Sequence, residues 1–319
     1  MKLQNHFLWP EKKELQAKYR SVFLIVFCLF SALDFNAQQI APLYDQAIPN
    51  EVPNSMKETV LYWGGEFGGY KSVSIPTLEI YLPKKRNVKS AAMVICPGGG
   101  YKTESYQEEG IDIAKTFVKH GVAAFILKYR LPSDSIMVDK SIGPLQDAQQ
   151  AIKVLREKAA NWNIDIHKIG IMGFSAGGHL ASSAGVHFDS SFIPNNEQTS
   201  LRPDFMILVY PVISMTDKLT HRDSRRKLLG EPAPVEKINY FSSELQVTDS
   251  TPPAWITHAT DDKTVDVDNS IVFYEALKEH KVPVEMHIYP KGDHGYVLNI
   301  PTEKWMGSLF EWMKGNGWL

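Results

Sequence analysis

The sequence contains the stretch Ile169-Gly170-Ile171-Met172-Gly173-Phe174-Ser175-Ala176-Gly177-Gly178-His179-Leu180-Ala181. It begins with apolar residues and glycine, as a buried strand does, and the residues from Ala176 onward favour a helix. Small residues around a serine permit a tight, strained turn from strand to helix that exposes the hydroxyl at a sheet edge. The pattern G-x-S-x-G is weak by itself, because a serine that begins a helix is often only a cap residue. The strand before Ser175 and the helix after it favour a nucleophile.

Apolar strands and amphipathic helices alternate on both sides of this stretch. Alternating apolar residues at 78–82 predict a half-exposed antiparallel strand, whereas continuous apolar runs predict strands buried on both faces. Apolar residues at helical spacing predict helices between the strands. We expect buried strands at 91–95 and 122–127, further strands at 169–173, 205–210, 254–257 and 284–289, and helices at 111–120, 147–159, 271–279 and 303–313.

This alternation predicts an α/β fold with right-handed crossovers and a mostly parallel sheet. We expect a three-layer sandwich, in which helices cover both faces of a sheet of about eight strands. A charged, loop-rich stretch at 216–248 interrupts the alternation. It is expected to form a small lid over the carboxyl edge of the sheet, where open α/β sheets place their sites.

The composition is that of a globular protein with one large core. The chain has 319 residues, of which 44% are hydrophobic and 22% are charged, with a net charge of -2. The near-neutral charge argues against nucleic acid as a partner. Of the two cysteines, Cys28 lies in an N-terminal apolar run, and Cys96 is expected to be buried and free of disulfides. The oligomeric state is left open.

The N-terminal residues have the pattern of a secretory signal. Basic residues between Lys2 and Arg20 precede an apolar run at 22–33, and the small residue Ala37 follows at a suitable cleavage position. The run is shorter than the roughly 20 residues that span a bilayer. We expect a signal peptide, a lead-in segment and a catalytic domain, at 1–37, 38–55 and 56–319. The mature protein would be secreted or periplasmic, without stable membrane association. An uncleaved anchor and a cytosolic protein are the alternatives.

A glycine run, Pro97-Gly98-Gly99-Gly100-Tyr101, follows the strand predicted at 91–95. Consecutive glycines let backbone N–H groups approach a ligand with no side chain between them. A nucleophilic serine needs such donors, because its tetrahedral intermediate carries a negative charge. We therefore expect an oxyanion hole made by the N–H groups of Gly99, Gly100 and Ala176. A flexible loop or a phosphate cradle is the alternative, although the frame of a phosphate loop is missing.

A nucleophilic serine also requires a base and a carboxylate that orients the base. Asp262 follows the strand predicted at 254–257, and His294 follows the strand at 284–289. This order of serine, acid and histidine is that of α/β-hydrolases. Asp261 and Asp266 are alternatives for the acid. The acidic cluster lacks the glycine and the terminal glutamate of a calcium loop, so no metal is expected.

Four motifs together resemble the acetylxylan-esterase-like branch of the α/β-hydrolases, which is related to hormone-sensitive-lipase-type esterases. They are the glycine run, the stretch 127–132 (Leu-Lys-Tyr-Arg-Leu-Pro), the serine motif and the stretch 261–265 (Asp-Asp-Lys-Thr-Val). In this branch the acid lies three residues before a valine, which Asp262 and Val265 match. Lipase-type members carry histidine before the glycines, where this chain has Pro97, so the resemblance implies small acyl groups.

The resemblance spans about residue 49 to the C-terminus. It implies a cofactor-free serine esterase that removes acetyl groups from xylan or xylo-oligosaccharides, with an acetylated oligo- or polysaccharide as its partner. Tyr101 and Tyr296 are candidates for stacking on a sugar ring, and Trp63 and Trp255 are further ones. A feruloyl esterase, a lipase, a peptidase or a formamidase-like amidase of the same fold is an alternative. From another class, a catalytically inactive carbohydrate-binding module is the alternative.

Overall fold

A computed structural model describes residues 39–84 and 88–319. In chain order its strands are β1 (Gln39–Pro42), β2 (Thr59–Trp63), β3 (Glu66–Lys71), β4 (Thr77–Tyr81), β5 (Ser90–Cys96), β6 (Thr103–Glu104), β7 (Ala123–Lys128), β8 (Ile164–Phe174), β9 (Phe205–Val209), β10 (Ala254–Ala259) and β11 (Val284–Tyr289). The main sheet has eight strands in the order β1-β4-β7-β5-β8-β9-β10-β11. β4 runs antiparallel to its neighbours β1 and β7, and from β7 to β11 the strands are parallel. The predicted mostly parallel sheet is confirmed.

Helices cover both faces of this sheet. They are α1 (Asp112–Lys119), α2 (Gly143–Glu157), α3 (Ala159–Trp162), α4 (Ser175–Val186), α5 (Arg222–Leu229), α6 (Val235–Tyr240), α7 (Asp268–Glu279) and α8 (Thr302–Gly315). Alternate side chains of the central strands enter two buried clusters, one with Val94 and Ile171 and the other with Met93 and Met172. The first cluster includes residues of α2, α4 and α7, and the second includes residues of α1 and α8. The predicted three-layer sandwich is confirmed.

The direction predicted for β4 is confirmed, but the predicted exposure of one face is wrong. Leu78, Glu79 and Ile80 are all buried. The face of β4 that carries Glu79 is covered, because the hydroxyls of Tyr81 and Tyr106 donate hydrogen bonds to the Glu79 carboxylate. A charged residue in an alternating pattern thus lies beneath tyrosines instead of facing solvent.

Two parts of the fold differ from the sequence-based prediction near the N-terminal end. Residues 38–55 were expected as a lead-in segment, yet β1 pairs with β4 from Gln39↔Ile80 to Pro42↔Thr77, so the sheet already begins at Gln39. β2, β3 and β6 form a second, antiparallel sheet that was not predicted.

The predicted signal peptide and its cleavage near Ala37 lie outside the described residues. Within the described part of the chain, no helix is long and apolar enough to cross a membrane.

The motif at 127–132 holds the end of β7 in place. The Arg130 guanidinium lies 2.8 Å from the Asp147 carboxylate of α2, and both side chains are almost fully buried. Tyr44 donates a further hydrogen bond to the same carboxylate, at 2.9 Å. Buried charges need such partners, because an unpaired one is strongly destabilising. The hydroxyl of Tyr129, the residue before Arg130, donates a hydrogen bond to the carbonyl of Pro97 at 2.7 Å. This bond connects the motif to the glycine run.

Candidate active site

The chain makes a strained turn where β8 ends and α4 begins. Ser175 has φ +51°, in the left-handed region that L-residues other than glycine rarely adopt. The flanking glycines are required by close contacts: a Cβ atom on Gly173 would lie 2.0 Å from the carbonyl oxygen of Gly177. A Cβ atom on Gly177 would lie 2.1 Å from the carbonyl oxygen of Cys96. The strand, turn and helix expected around Ser175 are present.

The structure brings Ser175, His294 and Asp262 together, although they are far apart in sequence: Ser175 begins α4, Asp262 follows β10 and His294 follows β11. His294 Nε2 is 2.9 Å from Ser175 Oγ, and His294 Nδ1 is 2.7 Å from Asp262 Oδ2. The two other acids considered for the same position lie elsewhere. Asp261 accepts a hydrogen bond from the amide of Asp293, and Asp266 accepts one from the amide of Asp268. The arrangement has the hydrogen-bond connections of a serine–histidine–acid triad.

The environment of Asp262 favours its ionised form. Burial opposes ionisation, but hydrogen bonds from His258 and His294, together with the backbone amide of Val265, hold the pKa of Asp262 well below its usual value. Its Oδ1 accepts from the amides of Thr264 and Val265 at 2.8 and 2.9 Å. The valine three residues after the acid therefore contributes a backbone donor.

His258, which is absent from the predicted site residues, makes a second contact to Asp262. It is fully buried on β10, and its Nε2 is 3.1 Å from Asp262 Oδ2 and 3.0 Å from the carbonyl oxygen of Val265. Both of these atoms are acceptors, so Nε2 carries a hydrogen. Nδ1 lies 2.7 Å from the hydroxyl of Ser270 on α7. Asp262 Oδ2 is thus held by two histidines, and the buried strand that carries His258 offers no sequence signal for this role.

The glycine run presents backbone donors to the same site. The amide of Gly98 is already used, because it donates to Glu109 Oε2 at 2.6 Å. No acceptor among the described residues is paired with the amide of Gly99 or Gly100, and both glycines have positive φ, +129° and +63°. Ala176 lies in the first turn of α4, where N–H groups have no partner within the helix. These three amides are available to a ligand.

Glu109 is a further buried acid that was not predicted. It lies in the π-helical turn Gln107–Ile111 before α1, a type of turn that is frequent at functional sites. Its Oε2 accepts from Gly98 and its Oε1 accepts from the hydroxyl of Tyr210 at 2.8 Å. Burial raises the pKa of Glu109, whereas these two hydrogen bonds lower it. Glu109 and Tyr129 thus bond to two adjacent residues, Gly98 and Pro97, at the start of the glycine run.

A cavity of about 430 Å³ opens above Ser175 and His294. Its walls come from the glycine run on one side and from the segment 216–248 on the other. The residues contributed by the segment 216–248 are His221, Asp223, Arg226 and Lys227. This segment contains α5 and α6, and it occupies the position predicted for a lid.

The aromatic residues expected to contact a sugar are mostly in the core. Tyr101 and Tyr296 are 2% and 3% exposed, and their hydroxyls bond inside the protein, to His179 Nδ1 at 2.8 Å and to Thr257 Oγ1. Trp255 is buried as well. The predicted stacking of these three rings on a sugar is wrong, because all three are buried inside the protein. Trp63 remains exposed, at 42%, on β2.

His179 joins the glycine run to the lid. Its Nε2 lies 2.7 Å from the carbonyl oxygen of Phe241, so Nε2 donates and Nδ1 accepts the hydrogen bond from the Tyr101 hydroxyl. Burial lowers the pKa of His179 to about 4. The histidine that follows the serine motif is therefore a neutral structural bridge.

The sheet topology, the strained serine turn and the order of serine, acid and histidine define an α/β-hydrolase of the esterase type. Residues 78–277 match the BD-FAE family, and the chain belongs to this family. The predicted resemblance to the esterase branch of these hydrolases is confirmed.

Two curated relatives match about two thirds of the chain. One is the endo-1,4-beta-xylanase B of Butyrivibrio fibrisolvens, with 42% identity over 70% of this chain and 35% of the relative. The other is the acetylxylan esterase of Xylanibacter ruminicola, with 38% identity over 68% of this chain and 42% of the relative. The matched part of the chain thus spans less than half the length of either relative.

Solved structures confirm the α/β-hydrolase fold. The acetyl ester-xyloside bifunctional hydrolase of Caldicellulosiruptor lactoaceticus superposes with a TM-score of 0.74 at 33% identity, covering 88% of this chain and 97% of that one. A thermophilic esterase from Thermogutta terrifontis superposes with a TM-score of 0.68 at 23% identity, covering 90% and 97%. At 23% identity, this second similarity shows only that the two proteins share a fold.

The hydrogen bond from His258 to Asp262 predicts a kinetic effect. His258→Asn keeps a polar atom near Ser270 but removes the N–H that reaches Asp262, whereas His258→Gln places an amide N–H near the position of Nε2. We expect His258→Asn to lower kcat for phenyl acetate about tenfold with little change in KM, because a hydrogen bond to a charged group contributes about 1.5–3 kcal/mol. His258→Gln should restore most of the rate. Equal kcat in the two variants would contradict a role through Asp262.

The bridge at His179 predicts a dependence of stability on pH. An unfolded histidine titrates near 6.5, whereas His179 in the fold titrates near 4, so the unfolded state binds more protons between these values. The free energy of unfolding should therefore fall, relative to a His179→Gln variant, by up to about 1 kcal/mol per pH unit as pH drops from 6.5 towards 4. Urea denaturation at a series of pH values measures this difference. Parallel curves for the two proteins across that range would show that His179 does not titrate in this way.

Proposed function

We propose that the protein is a serine carboxylesterase that removes acetyl groups from xylan or xylo-oligosaccharides. The observation that carries the proposal is the continuous hydrogen-bond path from Ser175 through His294 to Asp262, beside three backbone amides that have no acceptor among the residues that the structure describes. Acyl transfer needs this combination, because it requires a base for the nucleophile and donors for the oxyanion.

In the first step, Ser175 Oγ attacks the carbonyl carbon of the ester while His294 Nε2 takes the hydroxyl proton. The amides of Gly99, Gly100 and Ala176 stabilise the negative charge on the former carbonyl oxygen. The bond to the sugar oxygen then breaks, and that oxygen receives the proton from His294. An acetyl group remains on Ser175.

In the second step, His294 Nε2 takes a proton from water, and the resulting hydroxide attacks the acetyl carbon. Collapse of the intermediate returns the proton to Ser175 Oγ and releases acetate. Asp262 keeps Nδ1 protonated and stabilises the imidazolium that forms in each step. These steps use side chains, backbone amides and water, and they draw on no cofactor.

The acetylated sugar is supported by the relatives. The two curated ones are named as a xylanase and an acetylxylan esterase, and the structure at 33% identity is named for acetyl esters and xylosides. Pro97, which stands where lipase-type members carry histidine, supports a small acyl group. The N-terminal pattern supports export with cleavage near Ala37, and N-terminal sequencing of the exported protein tests that point.

The test is the release of acid from acetylated xylan, compared with release from butyryl and feruloyl esters of the same sugars. We expect acetate release to be fastest, and Ser175→Ala to lower it by at least about 10,000-fold, since loss of a triad serine removes nearly all covalent catalysis. Ser250→Ala, at an exposed serine remote from the cavity, is the matched control.

The possible results separate the parts of the proposal. Full activity of Ser175→Ala would overturn the mechanism. Faster release of the feruloyl group would favour the feruloyl esterase, and faster release of the butyryl group would favour a lipase-like specificity, with the triad retained in both cases.

A further inference from the structure

The lid contains a second and larger cavity, next to the one above Ser175. Its volume is about 650 Å³, and all of its lining residues lie between Asp217 and Ile238. Volumes of about 300–1,000 Å³ are typical of sites that enclose a small molecule. The mechanism proposed above makes no use of this space.

Two side chains of α5 line both cavities, so the spaces adjoin. They are Asp223 and Arg226, whose carboxylate and guanidinium lie 2.7 Å apart. Both are more than half exposed, and an exposed pair of this kind is held by little energy. A ligand that extends from Ser175 past this pair enters the second cavity.

The lining of the second cavity carries balanced charge. Asp217 lies 2.6 Å from Arg225, and Asp223 is paired with Arg226. The remaining charged groups are Arg222 and Glu231, one of each sign. Because the charges cancel, the cavity does not favour an anion or a cation. Its carboxylates and guanidinium groups instead offer many acceptors and donors, which suits a neutral ligand with many hydroxyl groups.

Apolar side chains form another part of the same lining. They belong to Ala233, Val235 and Ile238, and Val235 is 65% exposed. A pyranose ring presents hydroxyls at its edge and C–H groups on its faces, so it needs polar and apolar contacts side by side. A lipid chain would instead need a wholly apolar channel, which the six charged residues exclude.

We propose that this lid cavity binds the sugar units that adjoin the acetylated one, so that acetylated oligosaccharides are better substrates than acetylated monosaccharides. The inference rests on the proposed function, because it takes an acetylated glycan as the substrate at Ser175. Arg222 and Glu231 contact the neighbouring sugar units through their hydroxyl groups, and Val235 contacts a ring face.

The test measures kcat/KM for acetyl esters of xylose, xylobiose and xylotetraose, with phenyl acetate as a reference ester. We expect kcat/KM to rise at least about tenfold from acetylated xylose to acetylated xylotetraose, mainly through a lower KM, since about 1.4 kcal/mol of added binding gives a factor of ten. The double variant Arg222→Gln/Glu231→Gln, which preserves the charge balance, should remove most of this rise. Glu236→Gln changes an exposed glutamate of the lid outside the cavity lining, and it should keep the wild-type ratio.

Two results would overturn the inference. One is equal kcat/KM for all chain lengths in the wild type. The other is an unchanged rise in the double variant, which an equal fold loss for the xylose and xylotetraose esters would produce. Failure of the proposed function is recognised separately, because no acetyl ester of any sugar would then be cleaved, or Ser175→Ala would cleave them as fast as the wild type.

Discussion

The first turn of α4 packs directly on the backbone of the glycine run, and this contact determines the geometry of the site. A Cβ atom on Gly177 would lie 2.1 Å from the carbonyl oxygen of Cys96 and 2.5 Å from that of Pro97, so glycine alone fits there. β5 leads into the glycine run and β8 leads into α4, and these two strands are neighbours in the sheet. Sheet pairing therefore holds Ser175 and the amides of the glycine run in one unit.

The lid is attached to this unit by buried apolar side chains, such as Leu228 and Phe241, which belong to the same hydrophobic cluster as Leu180 of α4, and by polar contacts. His179 of α4 donates to the carbonyl of Phe241 at 2.7 Å, and the side-chain amide of Asn269 on α7 donates to the carbonyl of Leu219 at 3.0 Å. The core thus holds the reacting groups, whereas the lid forms the outer wall of the cavity. Such a division lets loop residues determine which substrate fits while the scaffold preserves the chemistry.

Much of the fold follows from local pattern. Continuous apolar runs predict the central strands because these strands are covered on both faces, and the chain order of Ser175, Asp262 and His294 follows from the strands before them. Contacts between distant segments are not predictable in this way. Glu79 was assigned to solvent although tyrosines cover it, and His258 and Glu109 act through partners that only the folded chain brings near. Tyr101 was predicted to contact a sugar. Its burial was not foreseen, because its hydrogen-bond partner His179 is distant in sequence.

In the proposed mechanism, Ser175 is a nucleophile that His294 activates. Reaction with a fluorophosphonate, followed by peptide mass spectrometry, tests this most directly, because the reagent bonds to an activated serine. We expect one adduct per chain, on Ser175, and a labelling rate that falls at least about 100-fold in His294→Gln, since the base contributes a factor of that size. An adduct on another residue, or unchanged labelling in His294→Gln, would contradict this mechanism.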